Sequence, residues 1–283
     1  MTRLTLSDRV LESFLDDDVP FGDLTTHVLC IGTKPGQITF AARDRMVVAC
    51  AEDAARLLEL AGARVNAVAA SGSELAPGAA ILSAAGPAEA LHRGWKVAQT
   101  LVEYASGIAT VTRRIVEAAR TARPDIAVVC TRKTMPGAKS LSIRAILAGG
   151  ATPHRLGLSE TILIFAEHRT FLDGQTASET IACARRAAPE KKIVVEVSTP
   201  DEAMTWAEAG ADVIQTEKFS VGNLSELSAR LATSGHKPLV AAAGGINAAN
   251  AAAYVAAGAD ILVTSAPYSA PPLDVAVRIE PSG

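Results

Sequence analysis

The sequence predicts an α/β protein in which a mixed N-terminal α/β unit precedes a parallel α/β barrel. Two observations lead to this fold class. From about residue 126 onward, short apolar runs alternate with alanine-rich segments of helical spacing. Residues 208–214 and 256–262 are nearly repeats, each a helix end, a glycine and the start of a buried strand. Such alternation with short loops is typical of a parallel sheet, either a closed or nearly closed barrel or, as the alternative, a doubly wound open sheet.

The first 110 or so residues predict the mixed domain. Its predicted strands are residues 37–42, 46–50, 64–69 and 79–83. The first two are expected to pair with each other across residues 43–45. Helical spacing predicts a helix at residues 52–61, with Gly62 as its stop, and a long helix at residues 88–122. Gly107 predicts either a break in the long helix or close packing at that point.

The barrel domain is predicted to span residues 111–266, after an N-terminal domain of residues 1–110, and the segment 267–283 could pack back on the latter. The predicted barrel strands are residues 126–130, 161–165, 192–197, 212–216, 238–243 and 260–264. The predicted helices are residues 140–147, 178–188, 201–209, 224–232 and 248–257. Pro200 after Thr199 is typical of a helix start, because proline suits the first helical position.

Composition and charge exclude several classes of protein. At 283 residues the chain can bury a substantial core, and 49% hydrophobic residues exclude a disordered protein. A net charge of −3 and an aromatic content of 4% argue against nucleic acid as a partner. No apolar stretch reaches the ~18 residues of a membrane span, and the first residues hold no apolar signal core. The four scattered cysteines form no metal-like pairs and are expected to be buried free thiols, so we expect a cytoplasmic protein.

Two basic clusters flank strand-like runs in the middle of the chain. Arg132 and Lys133 follow the run 126–130, and His154 and Arg155 precede the run 161–165. If the two runs are neighbouring parallel strands, the clusters meet over one pocket and can bind an anion. The alternative is that these are ordinary exposed surface residues.

Two carboxylates and a glycine pair lie at other predicted strand ends. Glu196 stands in an apolar run, where an unpaired carboxylate is costly to bury, so it is expected to face a polar cavity or a cation, with a structural ion pair as the alternative. Glu196 and Glu217 together could bind hydroxyl groups or Mg²⁺. Gly244 and Gly245 expose backbone N–H groups at a position where such barrels bind phosphate. The combination suits a phosphorylated sugar and a carboxylated partner.

These residues resemble the quinolinate phosphoribosyltransferase family over nearly the whole chain. The shared motifs are residues 22–26 (GDLTT), 106–110 (SGIAT), 131–137 (TRKTMPG), 154–158 (HRLGL), 244–247 (GGIN) and 269–274 (SAPPLD). The details are most similar to the ModD branch, proteins associated with molybdate-transport operons. That closer resemblance rests on residues 131–139, residues 154–163, Phe165 and His168.

The resemblance implies a type II phosphoribosyltransferase fold, with an N-terminal α/β sandwich domain and a C-terminal TIM-like α/β barrel. It also implies a head-to-tail homodimer whose active site is shared between subunits. It implies transfer of phosphoribosyl from phosphoribosyl pyrophosphate to a carboxylated acceptor, with Mg²⁺ and with release of pyrophosphate. The implied catalytic residues are Lys133, Glu196 and Glu217, of which Glu196 and Glu217 also hold Mg²⁺, directly or through substrate or water. The implied substrate-binding residues are Lys96, Arg132, Lys133, His154, Arg155, Phe165 and His168. The implied phosphate-binding residues are Gly244, Gly245, Thr264 and Ser265.

The chain departs from the quinolinate enzymes at several of these positions. Lys96 replaces an arginine and Phe165 replaces a lysine, while Glu217 replaces an aspartate and Ala243 a serine. Because a cation has been replaced by an aromatic ring, we expect an aromatic or heterocyclic acid that is less anionic than quinolinate. Two alternatives stay open: a non-catalytic anion-binding or regulatory protein associated with molybdate transport, and a true quinolinate phosphoribosyltransferase.

Overall fold

The computed structural model describes residues 6–282, which form two compact units. The first unit runs to Arg113 and includes Thr134–Gly150 and the chain from Pro267 onward, and the second comprises Arg114–Lys133 and Ala151–Ala266. The elements that begin in the first unit are α1 (Asp8–Asp18), α2 (Leu24–Val28), β1 (Pro35–Ala42), β2 (Met46–Val47), α3 (Ala51–Ala61), β3 (Arg64–Val68), β4 (Glu74–Leu75), β5 (Ala80–Pro87), α4 (Ala88–Ala122) and α5 (Lys139–Gly149). A 3₁₀ turn at Ala266–Ser269 precedes the last strand described, β13 (Val275–Pro281).

The sheet of the first unit is antiparallel, with the order β13-β1-β5-β3. The predicted hairpin of residues 37–42 and 46–50 is wrong, because β1 pairs with β13 and β5, whereas β2 pairs with β4. Two hydroxyl groups of α4 explain the difference. The Val47 backbone N–H donates to Thr110 Oγ1 at 2.9 Å, and that of Ala49 donates to Ser106 Oγ at 3.1 Å. These bonds satisfy backbone groups that a hairpin would otherwise pair.

Helix α4 continues through Gly107, so the close-packing alternative is the one observed. A side chain at Gly107 would collide with the backbone carbonyl of Pro271, which leaves room only for glycine there.

Helix α5 groups with the first unit, which differs from the predicted boundary at residue 111. Its Arg144 forms an ion pair with Asp53 of α3, whose side chain is fully buried. Desolvation raises the pKa of Asp53, and the Leu6 N–H and Arg144 oppose that rise. At the end of α5, Gly149 lies directly against Ala109 and Thr112 of α4. The buried ion pair of Arg144 and the close contact of Gly149 with α4 explain why α5 belongs to the first unit. The domain boundaries themselves stay a prediction.

The second unit alternates strands and helices as predicted. Its elements are β6 (Ala127–Cys130), β7 (Thr152–Pro153), β8 (Ile162–Ile164), α6 (Ala166–Arg169), α7 (Ala177–Ala187), β9 (Ile193–Val197), α8 (Pro200–Glu208), β10 (Val213–Glu217), α9 (Val221–Ser234), β11 (Leu239–Ala243), α10 (Ala251–Ala256) and β12 (Ile261–Thr264). Helix α8 begins as predicted, with Thr199 Oγ1 accepting from the Glu202 N–H at 3.2 Å.

The strands of the second unit form one parallel sheet in the order β7-β6-β12-β11-β10-β9-β8. This order is the chain order taken around a circle, since β12 returns to lie beside β6. A doubly wound sheet would reverse direction at its centre instead, so that alternative is excluded. Among the described residues β7 and β8 share no ladder, so the sheet is a parallel barrel that stays open between these two strands.

The barrel interior holds an apolar cluster, and polar side chains lie next to it toward the carboxyl ends of the strands. Val129, Phe165 and Ile261 pack against this cluster. Its six buried side chains are Leu163, Val194, Val213, Ala241, Ala243 and Val263. Side chains of a strand alternate between its two faces, so the residues two positions further along also point inward. On β9 and β10 these positions are Glu196 and Gln215, which places polar groups directly above the apolar interior.

The described residues contain no helix long and apolar enough to cross a membrane. The cysteines are free thiols, of which Cys50 and Cys130 are buried and Cys30 and Cys183 are exposed. The expected burial therefore holds for two of the four.

Candidate active site

A cavity of about 530 Å³ opens at the carboxyl ends of the barrel strands. Its charged and polar lining side chains are Thr131, Arg132, Lys133, His154, Arg155, Glu167, Glu196, Gln215, Glu217, Lys218 and Ser265. Leu163, Phe165, Ala243, Gly244, Gly245 and Val263 complete the lining. The carboxyl ends of parallel strands are where such barrels gather functional groups. Most of the predicted site residues are thus brought together at one cavity.

The two basic clusters meet because of a short strand that the sequence did not reveal. The runs expected to be neighbours, now β6 and β8, lie apart, and the two-residue β7 pairs with β6 instead. His154 and Arg155 directly follow β7, and the His154 backbone N–H donates to Cys130 O at 2.8 Å. Both clusters therefore leave the carboxyl ends of adjacent strands, which is the arrangement the anion-binding prediction required.

Arg155 is the most buried cation of the site, with 7% of its surface exposed. Its Cζ lies 5.6 Å from the centre of the Phe165 ring, a distance that allows a cation–π interaction. On that ring His168 also stacks, with 5.7 Å between centroids and 19° between planes. The Phe165 backbone N–H donates to His168 Nδ1 at 3.0 Å, so a neutral His168 carries its proton on Nε2. Phe165 therefore orients Arg155, while His168 supports Phe165 without lining the cavity.

His154 does not add a charge to the basic side at neutral pH. Desolvation lowers the pKa of His154, the neighbouring Arg155 lowers it further, and Glu160 opposes both. Desolvation also lowers the pKa of Arg155, with a contribution from nearby Arg132. Arginine nonetheless stays protonated in proteins. An anion bound here meets the guanidinium groups of Arg132 and Arg155 and the ammonium group of Lys133.

Glu196 stands opposite the basic clusters and is held by Gln215 on the neighbouring strand. Gln215 Nε2 donates to Glu196 Oε2 at 2.6 Å. Burial is the main reason that the pKa of Glu196 is raised, and the carboxylates of Glu217 and Glu167 raise it further, while Gln215 and Arg169 oppose the rise. The predicted polar environment of Glu196 is present, with an amide as its direct partner.

Gly244 and Gly245 form a turn that only glycine accommodates without strain. Their φ angles are +87° and +81°, in the left-handed region. A Cβ at Gly244 would lie 2.6 Å from Lys218 Cγ and 2.7 Å from the Lys218 backbone nitrogen. The turn thus brings bare backbone to the rim of the cavity, as the phosphate-binding prediction requires.

Ser265 lines the cavity, but the neighbouring Thr264 points away from it. Thr264 is buried, and its Oγ1 donates to Ile246 O at 2.7 Å and accepts from the Ala266 N–H at 3.1 Å. The alternation of strand side chains explains this, since Val263 and Ser265 face inward and Thr264 outward. The side chain of Thr264 therefore braces the loop after Gly245 and does not reach the cavity.

Lys96 lies in the first unit and is not part of this cavity. Its Nζ lies 4.8 Å from the centre of the Trp95 ring and donates to Gln99 Oε1 at 2.9 Å. It borders a largely apolar cavity of about 270 Å³ that also includes Phe14 and Tyr104. Its predicted role in a site shared between subunits stays a prediction.

Comparisons with known proteins identify the family. The profile of the quinolinate phosphoribosyl transferase C-terminal domain matches residues 108–278, and that of the N-terminal domain matches residues 23–106. The chain belongs to the quinolinate phosphoribosyltransferase family. Members of this family are enzymes that transfer a phosphoribosyl group, so the sequence resemblance and the enzyme class are confirmed.

Relatives of known name and structure agree with this membership. The chain is 47% identical to the ModD protein of Rhodobacter capsulatus over 249 residues, which cover 87% of this chain and 95% of that protein. It is 30% identical over 272 residues to the human protein named nicotinate-nucleotide pyrophosphorylase (carboxylating), covering 95% and 90%. The crystal structure of NadC from Streptococcus pyogenes superposes with a TM-score of 0.88 at 25% identity, covering 98% of this chain and 97% of that one. The predicted fold class is confirmed.

Four charged or polar lining residues of this family member had no assigned role in the sequence prediction: Thr131, Glu167, Gln215 and Lys218. Gln215 was detectable in principle, because a glutamine two residues before Glu217 shares its inward face. Glu167 and Lys218 gave no usable signal, since exposed Glu and Lys are common on any surface.

The residues present fit Mg²⁺ as a substrate-bridged ion. Among the described residues no group of three or more His, Cys, Asp or Glu side chains could hold a metal by itself. Mg²⁺ commonly uses only one or two carboxylates together with water and substrate phosphates. Glu196 and Glu217 both line the cavity and meet that need.

Proposed function

We propose that the barrel cavity transfers phosphoribosyl from phosphoribosyl pyrophosphate to an aromatic or heterocyclic acid that is less anionic than quinolinate. The observation that carries this proposal is the division of one cavity into two sides. Arg132, Lys133 and Arg155 line one side, and Glu196 and Glu217 line the other. An acid and a polyhydroxylated sugar phosphate require these two kinds of surface.

The basic side would bind the acceptor. A carboxylate suits the planar guanidinium of Arg155, which can donate two parallel hydrogen bonds. Phe165 lies 5.6 Å from the Arg155 Cζ and lines the cavity, so it would supply an apolar surface beside the acceptor ring. Where the quinolinate enzymes carry a lysine, this chain offers that ring, so a second carboxylate would lack a partner there. This favours an acceptor with one carboxylate.

The acidic side would bind the ribose. Carboxylates accept hydrogen bonds from hydroxyl groups, and Gln215 fixes the orientation of Glu196 for that purpose. Bound Mg²⁺, held by Glu196 and Glu217 with the substrate, would neutralise the pyrophosphate group. Gly244, Gly245 and Ser265 would hold the 5′-phosphate through backbone N–H and hydroxyl groups.

In the reaction, a ring nitrogen of the acceptor would form a bond to the anomeric carbon of the sugar. The bond from that carbon to pyrophosphate would break, and its electron pair would leave with pyrophosphate. The carboxylates of Glu196 and Glu217 would stabilise the positive charge that develops on the sugar. Lys133, at the rim of the cavity, would stabilise the departing phosphate charge.

Pyrophosphate release tests the proposal. The protein with phosphoribosyl pyrophosphate and Mg²⁺ is incubated with a panel of acids that includes nicotinate, picolinate and quinolinate. We expect release with a monocarboxylate and weaker release with quinolinate. Preferred turnover of quinolinate would instead support the true quinolinate enzyme. No pyrophosphate release with any acid, together with no binding of the sugar donor, would overturn the proposal.

A homodimer with a shared site is part of the proposal, because Lys96 lies outside the cavity and the family resemblance brings a basic residue from the other subunit. A Lys96→Ala variant and a Glu196→Gln variant, each less active than the unaltered protein, are expected to recover activity when their subunits are mixed. Absence of any recovery in verified mixed dimers would contradict the shared site.

The link to molybdate and the cytoplasmic location are also proposals. Exposed free thiols at Cys30 and Cys183 are the state expected in a reducing compartment. The association with molybdate rests on the resemblance to the ModD branch, and calorimetry with molybdate tests it. Tight molybdate binding without affinity for the sugar donor would favour a regulatory protein over the enzyme.

A further inference from the structure

Lys218 has a backbone conformation that residues with side chains rarely adopt. It directly follows β10, and its φ of +56° lies in the left-handed region. A non-glycine residue is held there only when its surroundings require it, and such residues concentrate at functional sites. One restraint is visible, since the Lys218 backbone N–H donates to Ala243 O at 2.9 Å. The strained backbone therefore fixes where the side chain leaves the sheet.

The side chain leaves the sheet directly over the glycine turn. The contact of Lys218 Cγ with Gly244 is so close that the hypothetical Cβ of Gly244 would lie 2.6 Å away. The turn has room for the lysine because Gly244 has no side chain. Lys218 and Gly244, which both have left-handed backbone conformations, therefore pack directly against each other.

The ammonium group is at the rim and accessible. Lys218 lines the cavity, its side chain is 79% exposed, and Nζ lies 3.5 Å from Glu217 Oε1. Such an exposed ion pair is worth little by itself and leaves the ammonium group able to bind another anion. The other lining lysine and arginines leave β6 and β7, whereas Lys218 leaves β10 among the carboxylates.

Phosphate binding beside Glu217 requires a nearby cation. Backbone N–H groups of the Gly244 turn supply hydrogen bonds, but the Glu217 carboxylate beside them repels a phosphate dianion. An ammonium group placed between the two removes that repulsion.

We infer that Lys218 binds the phosphate group of the donor at the Gly244–Gly245 turn. Its strained backbone aims the ammonium group, and Glu217 holds that group until the donor arrives. This inference rests on the proposed function and names a residue that contacts the donor. It assigns the 5′-phosphate, and not the pyrophosphate, as the bound group.

Ribose 5-phosphate is the probe that isolates this contact, because it carries the 5′-phosphate and no pyrophosphate. Calorimetric titrations compare the unaltered protein with Lys218→Gly, Lys218→Asn and Lys218→Arg. Glycine and asparagine both tolerate the left-handed region, so these variants remove the charge without adding backbone strain. The matched control is Lys237→Ala, which removes an exposed lysine before β11, at the opposite ends of the strands.

We expect Lys218→Gly and Lys218→Asn to weaken ribose 5-phosphate binding by about 10-fold, the size of one lost charged hydrogen bond. Lys218→Arg is expected to stay within about 3-fold, and Lys237→Ala to be unchanged. Added salt should weaken binding to the unaltered protein more than to Lys218→Gly. Thermal melts that show the glycine variant to be at least as stable as the unaltered protein confirm that it is folded.

Equal affinity of the unaltered and Lys218→Gly proteins for ribose 5-phosphate would overturn this inference and leave the proposed function standing. A loss of pyrophosphate binding without a loss of ribose 5-phosphate binding would also overturn it. If the unaltered protein binds neither ribose 5-phosphate nor phosphoribosyl pyrophosphate, the proposed function itself fails, and the inference fails with it.

Discussion

The two sides of the cavity differ in how they handle like charges. On the side of β6 and β7, Arg155 is buried against an aromatic ring, and nearby Arg132 contributes to lowering its pKa. On the side of β9 and β10, Glu196 stands near two other carboxylates and is held by an amide. The first side is lined by cations, and the second by carboxylates with the exposed Lys218 beside Glu217. This division suits a pair of ligands, an acid on the first side and a sugar phosphate on the second.

The buried pair in the first unit shows the contrast. There the carboxylate of Asp53 and the guanidinium of Arg144 pair directly with each other. The cations and carboxylates of the cavity face each other across an opening of about 530 Å³.

Arg155→Ala should have the largest effect, because it removes the most buried cation of the basic side. We expect kcat/KM to fall by about 100-fold, the size of a lost buried charge contact with a carboxylate. Arg155→Lys keeps the charge but loses the planar fork, so it should recover only part of the activity. Pyrophosphate release with the preferred acid measures both. If Arg155→Ala is no weaker than Lys237→Ala, the basic side does not bind the acceptor.

Glu196→Gln should weaken donor binding by about 10-fold when Mg²⁺ is present, because a carboxylate is lost from the acidic side. The same substitution is expected to increase the stability of the folded protein near neutral pH. The folded-state pKa of Glu196 is raised, so its stabilising contribution is present below the unfolded pKa and is lost as the pH rises through the folded pKa. Urea denaturation should therefore show Glu196→Gln gaining stability relative to the unaltered protein from pH 4.5 toward neutrality. A relative loss over that range would contradict the raised pKa.

Gln215→Met should act through Glu196 and change the pH dependence more than the maximal rate. The amide lowers the pKa of Glu196, so its loss raises that pKa further. The acidic limb of the kcat/KM profile should then move to higher pH, while kcat on the alkaline plateau changes by roughly 2-fold or less. An unmoved acidic limb would show that Gln215 has only a packing role.

Phe165→Leu should have a modest effect that is confined to the KM of the acid. It removes the aromatic face beneath Arg155, and a contact of this kind is worth about 1 kcal/mol, or roughly a 5-fold rise in KM for the acid. Phe165→Trp keeps an aromatic face and is the matched control. Equal KM values for the two variants would show that the ring does not orient Arg155.

The sequence predicted the barrel well and parts of the site less well, for physical reasons. Strands such as β9 and β10 are apolar runs whose burial is visible in composition. Strand β7 has two residues, one of them Pro153, so no periodicity could reveal it. The predicted hairpin of the first unit is wrong because hydroxyl groups of the distant α4 accept hydrogen bonds from the backbone N–H groups of Val47 and Ala49.

Within the site, the type of a residue predicted its role better than the sequence predicted where its side chain points. Arg155 and Glu196 were identified because charge beside an apolar run needs an explanation. Thr264 was placed in the phosphate site, although strand alternation turns its side chain away. Lys218 was passed over because its left-handed backbone exists only once β10 and the glycine turn are packed together.

The most direct test of the two-sided cavity is the stoichiometry of pyrophosphate release. Phosphoribosyl pyrophosphate and the preferred monocarboxylic acid are supplied together, and pyrophosphate formed and acid consumed are both counted. We predict equal amounts of each, dependence on Mg²⁺, and slower formation of both in Arg155→Ala and Glu196→Gln at limiting substrate. Pyrophosphate released without consumption of any acid, or release at the unaltered rate in both variants, would contradict the account.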